Sequence, residues 1–308
     1  MILASKTLAR FTSIKKHDGN INIKNHPCKT PIGPAAKYIL DHEGGIDDIE
    51  AKPTPDFSKI ATTKEGMFMA EDDYCKSYYY RGAADNWVSF AGFYWRIIRI
   101  NGDGSIRLIF SGTNKDHIFS MGYSPYSETD NSESYADYKV SDVKTFVENW
   151  YKTNILDKQF NDRIADPGFC NDITKYNTDK FSGYSRLIDQ KNPTLRCPDK
   201  NNDLLTVKKG TISYPGGLPT LDEVAIAGGV YYDSNTKFYL SEGYSFLTMT
   251  PISYDDNYRS IGCHGGDLQV IASCGSSFSS GIRVVINLKS DVIISSGDGT
   301  ELNPYVIN

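Results

Sequence analysis

The chain has 308 residues, a net charge of −5 and a pI of about 5.6, with its charges dispersed. That balance argues against nucleic acid or an anionic membrane as partner. No apolar run approaches the roughly 20 residues of a membrane-spanning helix, and the length allows one large or two ordinary domains.

Residues 1–65 read as an attachment or linker segment, separate from a binding domain over 66–308. Lys15–Asn20 and Asn25–Cys28 are turn-like, Ala35–Leu40 forms a short helical pattern, and Glu43–Pro55 is acidic and bears Pro and Gly. From Met67 the pattern turns to β. Ser77–Arg81, Trp87–Phe90, Tyr94–Ile100 and Ser105–Phe110 are strand candidates. Asn101-Gly102-Asp103-Gly104 carries two hairpin signals between the last two. Arg96, Arg99 and Arg107 alternate with apolar residues, which predicts one solvated sheet face rather than an anion site.

Residues 114–140 read as a long polar loop. Ser141–Tyr151 is the best helix, with Ser141 as N-cap and Lys144 where a full capping box would place Glu. Val143, Phe146, Val147 and Trp150 fall at i, i+3, i+4 and i+7, an apolar stripe for the core. Residues 160–210 read as irregular. Asp199–Asp203 imitates the start of a calcium loop, but Leu204 occupies the glycine position, so a polar turn is expected.

The last third is the organising stretch. Leu221–Ala227 predicts a short helix stopped by Gly228-Gly229, Tyr244–Pro251 a core segment, and Ile282–Leu288 a strand. Between the last two lies a polar segment rich in Tyr, Asp, Asn and Ser. The tail after Gly297-Asp298-Gly299 predicts a final strand paired at a sheet edge.

Six cysteines allow 15 pairings, and none forms a CxxC pair of the kind zinc sites use. Their order suggests Cys28–Cys75, Cys170–Cys197 and Cys263–Cys274, and an even count fits an oxidising destination. Free buried thiols are the alternative. Tyrosine, with 21 copies, suits both strand packing and contact surfaces. The five histidines (His17, His26, His42, His117 and His264) fall in no catalytic motif, and no phosphate loop or dinucleotide fingerprint is present. No cofactor, metal or catalytic residue is expected.

Leu218-Pro219-Thr220-Leu221-Asp222-Glu223, followed by Ala225 and Gly228-Gly229, resembles the Leu-Pro-Thr-x-x-Glu helix of the formylglycine-generating-enzyme branch of the C-type-lectin-like fold. Gly281-Ile282-Arg283-Val284 resembles that branch's late Gly-Phe-Arg strand. With Ser77–Gly82, Phe93–Arg99, Arg283–Lys289 and Gly297–Thr300, residues 66–308 are similar to a group of gut-bacterial surface and prophage proteins, some diversified by retroelements. The resemblance implies an α+β fold with small twisted antiparallel sheets, few helices and long loops.

The resemblance also implies a hypervariable ligand-binding surface near the C-terminus. Tyr254, Asp255, Asp256, Asn257, Tyr258, Arg259, His264, Asp267 and Gln269 would be its exposed residues. The expected role is non-enzymatic display of a binding surface for a host-cell protein or glycan, on a virion or bacterial surface. Residues 1–65 would join a larger assembly. Met1–Phe11 lacks the apolar centre of a signal peptide, so the expected route is an export segment outside this sequence or release by lysis. The calcium-lectin motifs are missing, and no cysteines match the catalytic pair in spacing. A formylglycine-generating-type cysteine oxidase and a purely structural virion or surface-layer component are the alternatives.

Overall fold

Trp87–Phe90 and Phe93–Ile100 are joined by two residues only, Ala91 and Gly92, with φ of 55° and 82°. Two successive positive φ values define the mirror-image turn whose twist suits adjacent antiparallel strands. This hairpin lies in the middle of the larger sheet. The computed structural model describes residues 28–113, 122–127, 133–241, 245–254, 259–265 and 270–308.

The larger sheet has nine strands: β1 (Lys64–Glu71), β2 (Lys76–Gly82), β3 (Trp87–Phe90), β4 (Phe93–Ile100), β5 (Ile106–Gly112), β9 (Gly216–Gly217), β14 (Val285–Leu288), β15 (Ile294–Ser296) and β16 (Tyr305–Ile307). Its main path runs β15-β16-β3-β4-β5-β14-β9. β2 pairs with the far end of β4 and carries β1. All pairings are antiparallel except that of β16 with β3.

The second sheet has five strands in the order β12-β11-β10-β13-β6, from Val270–Gly275, Arg259–Gly265, Phe246–Tyr254, Ser280–Gly281 and Tyr123–Ser124. β7 (Phe169–Cys170) and β8 (Leu204–Leu205) form a separate ribbon. The expected mixed α+β class, mostly sheet with few helices, is what forms. The Asn101–Gly104 hairpin closes with Ile100 opposite Ile106. The final strand forms, but not at the expected edge: β15 pairs with its outer side and takes the edge.

The described part of the expected linker is packed. α1 (Pro34–His42) and α2 (Ile46–Ala51) bury Ala35, Ala36, Ile39, Leu40 and Ile49 in the same core as the sheets. Helical spacing puts those apolar positions on one face, so they bury when a sheet is there to receive them. Glu50 receives both Lys76 and the Tyr78 hydroxyl, and Cys28 is bonded to Cys75. Residues 1–27 lie outside the described part.

α3 (Asp142–Tyr151) forms as its pattern predicts. The Ser141 hydroxyl accepts from the Lys144 amide, Val143 and Val147 are buried, and Phe146 and Trp150 pack beside them. The expected polar loop is anchored instead by buried tyrosines. Tyr126, Tyr135 and Tyr138 are all fully buried, and the Asn171 amide group bonds the Tyr126 hydroxyl, the Ala136 carbonyl and the Tyr138 amide. Asp199 closes a polar turn by accepting from the amides of Asn201 and Asn202, as expected.

The arginine reading needs correction. Arg96 and Arg107 are buried and Arg99 is nearly so, because the face expected to meet water is covered: Glu223 of α4 (Leu221–Ala227) lies against Arg99 and Arg107, and Tyr239 lies beside Arg96, while Arg283 is likewise buried against Leu240 and Phe246. Arg96 donates to Asn86 and the Ala84 carbonyl over the Trp87 ring. Arg283 donates to the Phe110 carbonyl and Ser111. Arg99 lies directly opposite Arg107 across the β4–β5 ladder, an unfavourable pairing of like charges. Glu223 resolves it from α4. Its Oε1 is 2.5 Å from Arg107 Nε and 3.3 Å from Arg99 Nη2, while Oε2 accepts from the Thr220 amide at 2.9 Å. Thr220 returns the bond to the Glu223 amide, completing a capping box. Every residue of α4 is buried, and Gly228 ends it with φ 137°.

Candidate ligand-binding site

The residues expected to form one surface do not all come together. β11 carries Arg259 at one end, opposite Tyr254, and Gly265 at the other, opposite Val270. Seven residues of strand place those ends about 20 Å apart. Tyr254 and Arg259 therefore belong to one end of the second sheet. Asp255, Asp256, Asn257, Tyr258, Asp267 and Gln269 lie outside the described residues.

His264 is buried, 1 % exposed, between the rings of Phe238 and Phe246 at 5.3 and 5.2 Å. It is a core residue: Ile261 and Cys263, on the other face of β11, are buried as well, so this part of the strand has no solvated side. Tyr254 is half-buried. Its ring stacks on Tyr135 at 6.0 Å and lies under the Lys175 ammonium. The Tyr254 ring is thus partly committed to packing.

All three expected disulfides form: Cys28–Cys75, Cys170–Cys197 and Cys263–Cys274. Cys263–Cys274 clamps β11 to β12. Cys170–Cys197 closes the segment that meets Tyr254. The segment leaves the sheet ribbon at Cys170, docks on β10, and returns. Lys180 bridges to Ser253, Phe181 N donates to the Ile252 carbonyl at 3.1 Å, and Tyr254 N donates to the Asp179 carbonyl at 2.7 Å. Phe181, Leu187 and Leu195 plug it into apolar clusters.

Arg186 fixes the middle of the segment. Its Nε and Nη2 meet Asp222 Oδ1 and Oδ2 at 2.7 and 2.8 Å, and its Nη1 meets Asp172 Oδ2 at 3.0 Å. Burial works against the charge of Arg186, but the two carboxylates outweigh it and hold the guanidinium protonated. Asp222 Oδ1 also accepts from the Thr194 amide at 2.9 Å, so the buried helix α4 holds both limbs of the segment.

A cavity of about 450 Å³ opens on this segment. It is lined by Tyr176, Ser182, Ser185, Arg186, Gln190, Asn192, Pro193 and Thr194, all between Cys170 and Cys197. Tyr176 stands beside it, 55 % exposed. The one charged lining group, Arg186, is already neutralised. The remaining groups are hydroxyls, amides and an aromatic ring, which suits a neutral, hydroxyl-rich ligand better than an anion. Sequence reasoning missed these residues. The available signal was the density of Asn, Asp, Ser and Tyr between two cysteines.

Removing the bridge should loosen this segment. A Cys170→Ser/Cys197→Ser variant is expected to lose about 3.5 kcal/mol of stability in urea titration, the loop-closure value for a separation of 27 residues. A loss below about 1 kcal/mol would mean that docking on β10, not the bridge, holds the segment.

Among the described residues no helix is long and apolar enough to cross a membrane, and no group of His, Cys, Asp and Glu is arranged to hold a metal ion. Comparison with protein-family models, with curated proteins and with solved structures gives no match.

Proposed function

We propose that this protein is a non-enzymatic, extracellular ligand-binding display protein of the C-type-lectin-like kind, a phage appendage or a bacterial surface adhesin. The observation that carries the reading is that every residue lining the open polar cavity lies in the segment closed by Cys170–Cys197. An irregular segment of this kind, stapled and docked on a rigid sheet, is a recognition element on a scaffold. The favoured ligand is a neutral host-cell glycan, with Tyr176 supplying a ring face and Gln190 and Asn192 supplying amides. Attachment to a larger assembly is assigned to the N-terminal part of the chain. Three disulfides support an oxidising location. The pairing of all six cysteines supports this reading over a cysteine oxidase, which needs a reactive thiol.

The test is binding of the intact, disulfide-bonded protein to an array of neutral and anionic glycans and to host-cell surface proteins. A Tyr176→Ala/Asn192→Ala variant should lose at least tenfold in affinity with its unfolding midpoint unchanged. Equal binding by variant and parent would remove this cavity as the site, and binding to no surface component would defeat the display reading.

A further inference from the structure

Asp172 and Asp203 stand where the closed segment leaves the β7–β8 ribbon. Cys170 pairs with Leu204 in that ribbon, and Asn171 N donates to the Asp203 carbonyl at 2.9 Å just beyond it. Both aspartates are buried, 2 % and 4 % exposed. Thr174 joins them: its amide donates to Asp172 Oδ1 at 3.3 Å and its hydroxyl to Asp203 Oδ2 at 3.2 Å.

The two carboxyls differ in their partners. Asp172 receives Arg186 and the Ser182 hydroxyl. No cation among the described residues pairs with Asp203. Its charged neighbours are Asp172 and, more weakly, Asp199 of the exposed turn. Lys209 directs its ammonium to the carbonyls of Lys200, Asn201 and Leu204, and Arg186, on the far side of Asp172, is shared with Asp222. Ionising Asp203 therefore puts a second negative charge into a buried site that already holds one.

We propose that Asp172 and Asp203 form an acid-closing latch at the base of the recognition segment. Protonating Asp203 removes the repulsion and the cost of a buried charge, which outweigh the bonds donated to the carboxylate by the Thr174 hydroxyl and the Ile173 amide, so the segment is held shut in mildly acidic surroundings and loosens at neutral pH. Burial first, and the Asp172 charge second, push the Asp203 carboxyl up to about 6, which places the change in an accessible range. The regulatory meaning of the latch rests on the cavity being a binding site.

The sign follows from the folded state holding the proton more tightly than the open one. Stability from the neutral group is full below the ordinary value of 3.8 and is lost as pH rises through about 6. Hydrogen exchange of the intact protein from pH 4.5 to 7.5 reads this directly. After correction for intrinsic rates, opening of the 171–203 amides should rise with pH by up to about tenfold per unit below pH 6. Asp203→Asn should show no slope and stay near the acidic level of the parent. A flat parent profile, which needs no variant, or a slope retained in Asp203→Asn, would overturn the latch.

Glycan-array binding at pH 5 and pH 7.5 completes the test, with stronger binding expected at pH 5. Exchange that changes with pH while binding stays equal would overturn the regulation and leave the display reading standing. The expected exchange slope with no binding at either pH would overturn the display reading and leave the latch standing as a property of the segment.

Discussion

A Glu223→Ala variant is expected to lose about 3–5 kcal/mol of stability, with Tm falling on the order of 10 °C. Burial alone would raise the Glu223 pKa, but Arg107, Arg99 and the Thr220 amide outweigh it and hold the carboxyl ionised, below its usual range. Without it, two guanidiniums face each other across the ladder in a buried layer, opposed only by the more distant charges of Asp72 and Asp73. The capping role can be separated from the charge. Thr220→Ala removes the reciprocal cap and should cost about 1 kcal/mol. Urea titration of both variants decides the matter: a Glu223→Ala loss no larger than that of Thr220→Ala would show that the buried arginines do not depend on this carboxylate.

The second large effect is expected in acid. Burial, reinforced by the Arg283 charge, pushes the His264 imidazole down to about 3 from an ordinary 6.5. Neither ring nitrogen has a hydrogen-bond partner among the described residues. The unfolded chain takes up a proton below pH 6.5 that the folded chain refuses until about pH 3. Stability therefore falls with falling pH across that window, by roughly 4 kcal/mol in all. His264→Leu keeps the apolar contacts, sacrifices no hydrogen bond and removes the titration. The stability difference between parent and variant, measured from pH 7 to pH 3, should grow with acid. Asp203 works with the opposite sign between its ordinary 3.8 and about 6, so the difference rather than the parent profile isolates the imidazole. A constant difference would mean that His264 stays neutral in both states.

The local elements were legible where one signal dominated. Ser141 and the Val143–Trp150 stripe specify α3 without help from the rest of the chain, and Asn101–Gly104 specifies its hairpin. The cysteine order gave the pairing because each bond joins neighbours in sequence. The arginines were illegible for a physical reason: alternation shows which residues share a face, not what later covers that face. Glu223 lies 116 residues beyond Arg107, and no local pattern announces that α4 will bring a carboxylate between two strands. His264 misled in the same way, since a histidine among polar residues reads as exposed until Phe238 and Phe246 close on it. The cavity was hidden because its lining residues, spread over Tyr176 to Thr194, converge only when Arg186 and Asp222 pull the segment inward.

The parallel pairing of β16 with β3 also governs how the chain is made. Tyr305 and Val306 sit beside Val88 and Ser89, and the Trp87 amide is satisfied by Gly299. More than 200 residues must leave the ribosome after β3 before that edge is covered. Until then the apolar hairpin that carries Trp87 and Trp95 presents an open edge, the kind of surface on which nascent chains aggregate. The sheet cannot close at this edge until its last strand has emerged, so the β3–β4 hairpin is the element left open for longest to pairing with other chains.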